Sequence, residues 1–188
     1  MTARRLFLVA FAVALPIGVG CGGGGGGGGG GTPEIACTDG DEAAANAVTL
    51  TCGGATNSTT ERVDVVLGGP ASGTTTLRGL NFDVIYEPAN LEYVPAATDT
   101  SPLFSPNALV AVQPYNNELG RLVVSIQEYG SVVAPVSVGT GQHVVLSLSF
   151  RRAAGATFGP TPLTLENAEA TSAFPTISFG SGLALSYQ

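Results

Sequence analysis

Few side chains in this 188-residue sequence could perform catalysis or bind a metal. His143 is the only histidine, and the sequence has no Gly-x-Ser-x-Gly motif that would supply a nucleophile for it. The three cysteines show no Cys-x-x-Cys spacing of the kind that binds zinc. Asp41 and Glu42 are adjacent carboxylates, but they lie in an irregular acidic segment that would hold no fixed separation. The sequence therefore predicts a protein that is not an enzyme, with no catalytic residue and no metal site.

Residues 1–20 have the pattern of a secretory signal peptide. A basic start precedes an apolar run from Leu6 to Leu15, which is shorter than the about 20 residues that span a bilayer. Gly18-Val19-Gly20-Cys21 resembles a bacterial lipobox, in which the cysteine is acylated and becomes the mature N-terminus. We therefore expect an exported lipoprotein, anchored through Cys21 to the cell envelope at the outer membrane or cell surface. The alternative is an ordinary signal peptide cut elsewhere, which leaves Cys21 free.

Ten glycines, Gly22–Gly31, follow Cys21 without a break. Such a run behaves as a flexible coil that spans about 17 Å on average, enough to lift a domain above lipid headgroups. Thr32–Ala45 is acidic and irregular. Residues 21–46 are therefore predicted to form the lipidated cysteine, a tether and a lead-in, and residues 47–188 to form one domain.

Cys37 and Cys52 are the two cysteines beyond the leader. In an oxidising, exported compartment an even pair is more often a disulfide than a binding site. A bridge that closes a loop of about 15 residues contributes roughly 3 kcal/mol in the chain-entropy model. We expect Cys37 and Cys52 to be bonded and to clamp the start of the domain to its first strand.

The charge balance excludes some classes of partner. The sequence has no lysine, and beyond the leader five arginines against fourteen acidic residues give a formal charge of −9. An acidic surface argues against nucleic acid, which needs basic patches, and against direct adhesion to anionic lipid. It is compatible with a basic protein partner, a neutral sugar or cations, with the membrane reached through the lipid anchor only.

Beyond Ala45 the sequence is a series of short β-type runs separated by Gly, Pro, Asn and Ser. Most runs alternate apolar and polar residues, which is typical of strands that bury one face. The predicted inward rows are Val63, Val65 and Leu67; Leu80, Phe82, Val84 and Tyr86; Leu122, Val124 and Ile126; and Val144, Leu146, Leu148 and Phe150. Ala108–Val112 is apolar throughout, which suggests a strand buried on both faces. Eight or nine such strands predict an all-β, antiparallel sandwich.

The segment Gly79–Val94 resembles a cohesin-type domain. In that family a strand ending in Tyr-Asp-Pro is followed by a tight turn and by a Leu that begins the next strand. Tyr86, Pro88 and Leu91 keep that order here, with Glu87 where the family usually has Asp. Gly120–Val124 and Val144–Phe150 are also similar to strands of the family. The resemblance covers Val48 to Tyr187 and implies a jelly-roll β-sandwich of about nine strands.

The resemblance implies a binding module. In cohesins one outer sheet face binds a small calcium-loaded dockerin and so docks enzymes onto a scaffold. The strand that matches Gly79–Glu87 contributes to that face, which makes Asn81 and Asp83 the first contact candidates; Ser125 and Gln127 are weaker ones. These four positions could equally be solvated residues of a half-buried sheet. No cofactor is expected, although a dockerin-like partner could bring calcium.

Two other functions remain open. Related sandwiches bind polysaccharide, but a carbohydrate-binding module needs exposed aromatic rings in a planar strip. The sequence has no Trp and five Tyr, of which Tyr93, Tyr115 and Tyr129 are the stacking candidates. The third possibility is a structural envelope lipoprotein without a specific ligand.

Overall fold

The structure is a computed structural model of the chain. It describes residues 35–38, 42–57, 59–95, 99–100, 103–115, 120–129, 134–156, 159–171, 176–180 and 182–187. The chain divides into two units, and every described residue belongs to the second, residues 31–188. The predicted leader, Cys21 and the glycine tether lie outside the described residues, so the lipid anchor stays a prediction.

The described residues form fourteen β-strands and no α-helix. The strands are β1 (Ile35–Thr38), β2 (Ala47–Asn57), β3 (Thr60–Gly68), β4 (Thr75–Leu77), β5 (Gly79–Tyr86), β6 (Leu91–Tyr93), β7 (Asp99–Thr100), β8 (Leu109–Pro114), β9 (Arg121–Gln127), β10 (Val136–Val138), β11 (Gln142–Arg152), β12 (Thr161–Thr171), β13 (Ser178–Phe179) and β14 (Leu183–Tyr187). Nine of them have four or more residues, which agrees with the predicted number. In this part of the chain no helix is long and apolar enough to cross a membrane.

Two six-stranded sheets form the sandwich. The first sheet has the order β1-β14-β12-β5-β9-β8, and the second has β13-β2-β3-β11-β6, with β7 also paired to β11. The described pairs are antiparallel except β13 with β2, which is parallel. A small separate sheet joins β10 to β4. The predicted antiparallel β-sandwich is confirmed.

The core lies between the two sheets and follows the predicted alternation. In β5, Leu80, Phe82 and Val84 are at most 1% exposed. The other strands contribute buried residues of the same period, among them Val63, Val65, Leu67, Leu122, Val124, Ile126, Leu148, Phe150, Leu163 and Leu185. Each such side chain stabilises the fold by roughly 1.5–3 kcal/mol relative to its exposed state. These inward rows leave the opposite residues of each strand on the outer faces.

One inward row differs from the predicted one. The alternation placed Val144 inward beside Leu146, but the register of β11 against β3 shifts between these two residues. This β-bulge turns Val144 outward, where it is 39% exposed, and brings Val145 into the core. The prediction for Val144 is wrong because one extra residue interrupts the period of two.

The apolar segment Ala108–Val112 is also placed differently from the prediction. It contributes to β8, which ends the first sheet and has β9 as its only strand neighbour among the described residues. Val110 and Val112 are half-buried, and Leu109 is 57% exposed. The expected burial on both faces is wrong because in this part of the structure no strand lies beyond β8.

The predicted irregular lead-in contains a strand of the sandwich. Ile35–Thr38 forms β1, which pairs with β14 at the other end of the first sheet, and Ile35 is fully buried. A disulfide joins Cys37 of β1 to Cys52 of β2, with the two Cα atoms 5.8 Å apart. Because β1 belongs to the first sheet and β2 to the second, this bond links the two sheets covalently.

Candidate functional site

The predicted contact residues lie on one side of the first sheet. Strands β12, β5, β9 and β8 are neighbours there and present their polar residues away from the core. The outward residues, strand by strand, are Thr164, Glu166 and Glu169; Asn81, Asp83 and Ile85; Arg121, Val123, Ser125 and Gln127; and Leu109, Ala111 and Gln113. We call this set the outer face.

Asn81 and Ser125 lie opposite each other near the middle of the outer face. Both are half-buried, whereas Gln127, in the next row, is exposed. Glu169 of β12 pairs with Asn81 on the other side and is also exposed. Opposed side chains of neighbouring strands lie about 4.5–5.5 Å apart at Cβ. Asn81, Ser125 and Gln127 are therefore close enough together to contact one partner surface.

Asp83 points to the same side but is only 6% exposed. Its Oδ2 accepts hydrogen bonds from Arg121 Nε at 3.1 Å, from Arg121 Nη2 and from Asn167 Nδ2 at 2.7 Å. A buried carboxylate is tolerated when several donors, at least one of them charged, satisfy it. In the unbound domain Asp83 thus orients its neighbours, and its contact with a partner stays a prediction.

Asn167 reaches Asp83 because of a β-bulge in β12. The register of β12 against β5 shifts between Glu166 and Glu169, and Asn167 has a φ of 54°. This left-handed backbone conformation is unfavourable for most side chains but is tolerated by Asn. A bulge of this kind re-aims a side chain, and here it directs the Asn167 amide to the Asp83 carboxylate.

Arg121, at the start of β9, contacts the aromatic ring of Tyr115. Gly120 precedes it with a φ of 93°, and a Cβ at that position would lie 2.8 Å from the Tyr86 carbonyl oxygen, so only glycine fits this turn. The guanidinium carbon of Arg121 lies 4.5 Å from the centre of the Tyr115 ring. The hydrogen bond to Asp83 raises the pKa of Arg121 above its usual value. The cation therefore stays charged and holds Tyr115 by a cation–π contact.

Sequence reasoning missed the contacts of Arg121 and Asn167 with Asp83 and the contact of Tyr115 with Arg121. Arg121 could have been found, since it is an outward position of an alternating strand next to the strand of Asp83. The contact of Asn167 depends on a bulge, and its partner is 84 residues away in the sequence. No local pattern signals that pairing.

The chemical groups of the described residues were compared with those that a metal site or a binding surface needs. No group of three or more His, Cys, Asp and Glu side chains among them is placed to hold a metal ion. The Nε2 atom of His143 lies 3.0 Å from the Gly139 carbonyl oxygen, at the start of β11 and outside the outer face. The outer face itself presents amides, hydroxyls, carboxylates, a guanidinium and apolar side chains.

The candidate stacking tyrosines have different surroundings. Tyr93 is half-buried, with its ring centroid 6.0 Å from that of Phe150. Tyr115 is 40% exposed beside Arg121, and Tyr129 is 75% exposed. Because Tyr93 packs on the core and Tyr115 on a guanidinium, these contacts do not favour the planar strip that a sugar-binding surface needs.

Comparison with known proteins finds similarity in structure only. No protein-family model and no curated protein matches the chain. The sixth cohesin of scaffoldin B from Acetivibrio cellulolyticus, solved with a mutant Cel5 dockerin, is similar with a TM-score of 0.55 at 14% identity, over 74% of this chain and 96% of that one. CaCohA2 from Clostridium acetobutylicum, solved with CaDoc0917, gives 0.52 at 16% identity, over 72% and 95%.

A third neighbour comes from Clostridium thermocellum. Its OlpC cohesin, solved as a cohesin–dockerin complex with Doc435, gives a TM-score of 0.52 at 9% identity, over 77% of this chain and 95% of that one. The three similarities extend over nearly the whole of each neighbour. The described domain therefore has the cohesin fold, and the resemblance predicted from Gly79–Val94 is confirmed at the level of the fold.

Proposed function

We propose that this domain is a non-catalytic module that binds a dockerin-like protein through the outer face of its first sheet. The observation that carries the proposal is the cohesin fold itself, since the neighbours named above were solved with dockerins bound. The outer face supports it, because Asn81, Ser125 and Gln127 lie together on adjacent strands. The Asp83–Arg121–Tyr115 group adds an ordered Arg and Tyr, two of the residue types that are enriched where binding energy is concentrated in protein interfaces.

We further propose that the domain works at the cell envelope, held there by acylation of Cys21. The lipobox-like sequence and the glycine tether support this location. Mass spectrometry of the protein isolated from membranes tests it. A diacylglycerol adduct on an N-terminal Cys21 is expected, and an unmodified cysteine would contradict the anchor.

Affinity capture tests the binding function. The full chain, isolated from its own membranes, is used as bait against the secreted and envelope proteins of the same organism, with calcium or with EDTA. We expect one main protein that is retained in calcium, because dockerins are calcium-loaded. The retained protein is then made separately and its dissociation constant is measured by calorimetry.

A matched pair of variants assigns the surface. Ser125→Arg changes the outer face, whereas Ser137→Arg makes the same substitution at an exposed position of β10. We expect Ser125→Arg and Asn81→Arg to weaken binding at least tenfold and Ser137→Arg to leave it unchanged. Equal binding by all three variants would show that the outer face is not the docking surface.

A further inference from the structure

The ion pair of Arg121 with Asp83 differs from the pair that Arg151 forms with Glu92. Arg151 and Glu92 are both about half exposed and are joined by two hydrogen bonds, one to each carboxylate oxygen. Asp83 is only 6% exposed, and its Oδ2 atom accepts two hydrogen bonds from Arg121 and one from Asn167. A buried ion pair often stabilises a fold no more than apolar residues of similar volume do. Stability alone therefore does not account for the buried pair.

Asn167 reaches this pair through an interruption of regular strand geometry. The bulge of β12 adds one residue between Glu166, which pairs with Asp83, and Glu169, which pairs with Asn81. Asn167 has a left-handed backbone with a φ of 54°, and its amide nitrogen lies 2.7 Å from Asp83 Oδ2. Sparsely populated backbone conformations cluster at sites that bind or switch. The bulge thus holds an amide donor where it fixes the Asp83 carboxylate.

The Arg121 guanidinium is held from two sides. Asp83 accepts hydrogen bonds from its Nε and Nη2 atoms, which fixes the plane of the group, and the Tyr115 ring lies 4.5 Å from its central carbon. The Arg121 side chain nevertheless keeps 34% of its surface exposed, and Tyr115 keeps 40%. A side chain that is ordered before a partner binds loses less conformational freedom on binding. Two accessible side chains are thus already ordered in the unbound domain.

The strand neighbours of this pair on the outer face are apolar. Ile85 lies opposite Arg121 and Val123 lies opposite Asp83 in the pairing of β5 with β9, and both are half-buried. Since Asp83 neutralises the Arg121 charge, a partner can cover this region without leaving an unpaired buried charge. Arg and Tyr are enriched among the residues that dominate binding energy, whereas Ser is under-represented. The composition at the start of β9 therefore favours a centre of binding there over one at Ser125.

These contacts assign different roles to the residues of the outer face. We propose that Arg121 and Tyr115 together form the binding centre of the interface. Asn167 and Asp83 are positioning residues, which fix the guanidinium before the partner arrives. This inference rests on the proposed dockerin-like function, and it moves the centre of that interface from Asn81 to the start of β9. The partner surface that fits there is uncharged and partly apolar, because the cation already has its counter-ion.

Side-chain NMR of the full chain tests the positioning role without a partner. The Nε–Hε group of Arg121 donates to Asp83, and its hydrogen exchange reports how firmly that bond is held. Asn167→Gly removes the amide and supplies a residue that adopts the left-handed backbone freely. We expect about fivefold faster exchange at Arg121 and no change at the Nε–Hε group of Arg151, which donates to Glu92. Equal exchange at Arg121 in variant and wild type overturns the positioning role.

Calorimetry with the protein retained by affinity capture tests the binding centre. We expect Tyr115→Ala to weaken binding about thirtyfold, and Tyr115→Phe, which keeps the ring, to weaken it by less than about threefold. Tyr129→Ala makes the same substitution at a tyrosine that is 75% exposed and should leave the affinity unchanged. Arg121→Lys keeps the charge without the planar fork and should weaken binding about tenfold, equally at low and high salt. A loss that shrinks at high salt would mean that the partner supplies an anion, which contradicts the uncharged partner surface.

A double-mutant cycle separates positioning from direct contact. Asn167→Gly should weaken binding about fivefold in the wild type and have no effect beside Arg121→Lys, since it acts through the guanidinium. Additive losses would show that Asn167 touches the partner itself, and would overturn its positioning role. If Tyr115→Ala and Arg121→Lys bind the retained protein as the wild type does, the binding centre is wrong and the dockerin-like function stands. If the wild type retains no protein, the proposed function fails and the binding centre with it, while hydrogen exchange still decides the positioning role.

Discussion

The first sheet ends in two edge strands that are built in opposite ways. β1 is short, buries Ile35 completely and is bonded through Cys37 to the second sheet. β8 is longer, leaves Val110 and Val112 half-buried and has only β9 as its described neighbour. The comparison shows that a strand's position at an edge does not determine how firmly it is held. Burial and covalent attachment decide that, and they are concentrated at β1.

The largest expected difference between β1 and β8 is the loss of stability when a core-facing side chain is shortened. Ile35→Ala should lower the free energy of unfolding by about 3.5 kcal/mol, since it removes a fully buried side chain and leaves a cavity. Val110→Ala should cost only about 1 kcal/mol, because the smaller Val110 side chain is half-buried. Urea unfolding of both variants measures the two values. Equal losses would contradict the comparison.

Loss of the disulfide should have the next largest effect on the free energy of unfolding. Replacing Cys37 and Cys52 together by Ala should lower the free energy of unfolding by about 3 kcal/mol, as expected for a closed loop with a sequence separation of 15. Thermal unfolding of the double variant against the wild type, both without reductant, measures it. If adding reductant to the wild type produces no comparable loss, the bond does not hold β1 as described.

A charge on β8 should have little effect on stability. Leu109→Lys is expected to change the free energy of unfolding by less than about 0.5 kcal/mol, because Leu109 is 57% exposed and a surface substitution disturbs few contacts. Urea unfolding of the variant and the wild type measures the change. A loss above about 1.5 kcal/mol would show that Leu109 packs more closely than its exposure indicates.

The smallest expected effect is the pH dependence of stability at β6, an edge strand of the second sheet. The hydrogen bond from Arg151 lowers the pKa of Glu92 on β6 below its ordinary value of about 4.3. The pair therefore stabilises the fold above that pH, and the contribution is lost as the pH falls through the lowered folded-state pKa. Because both side chains are about half exposed, solvent screens the pair, and we expect its contribution to be the smallest of these effects. Unfolding of wild type and Glu92→Gln between pH 6 and pH 2.5 measures it, and an increase in the wild-type advantage at low pH would reverse the sign.

The parts of the fold that depend on local alternation could be predicted from the sequence. Leu80, Phe82 and Val84 face the core as their spacing indicates. Val144 could not be placed, since a bulge depends on the neighbouring strand. β1 could not be recognised, because four residues within an acidic run of sequence that shows no alternation carry too little pattern, and its partner β14 is far away in the sequence.

For the candidate site, the sequence likewise predicted which residues face outward but not which residues contact them. Asn81 and Asp83 were identified as outward residues, but nothing nearby in the sequence reveals that Asp83 is enclosed by Arg121 and Asn167. Those contacts span 38 and 84 residues and exist only because three strands lie side by side. A sequence pattern can thus assign a side chain to a face, while its freedom to bind depends on the tertiary neighbours.

The disulfide between the sheets also has a mechanical consequence. Tension applied to the chain ahead of β1 first acts on the pairing of β1 with β14. At Cys37 the load passes through the sulfur atoms to Cys52, which lies in β2 among the strands of the second sheet. The loop between the two cysteines then carries none of the force. A pull from this end can therefore peel off β1 only as far as Cys37, and any further extension has to break apart the second sheet.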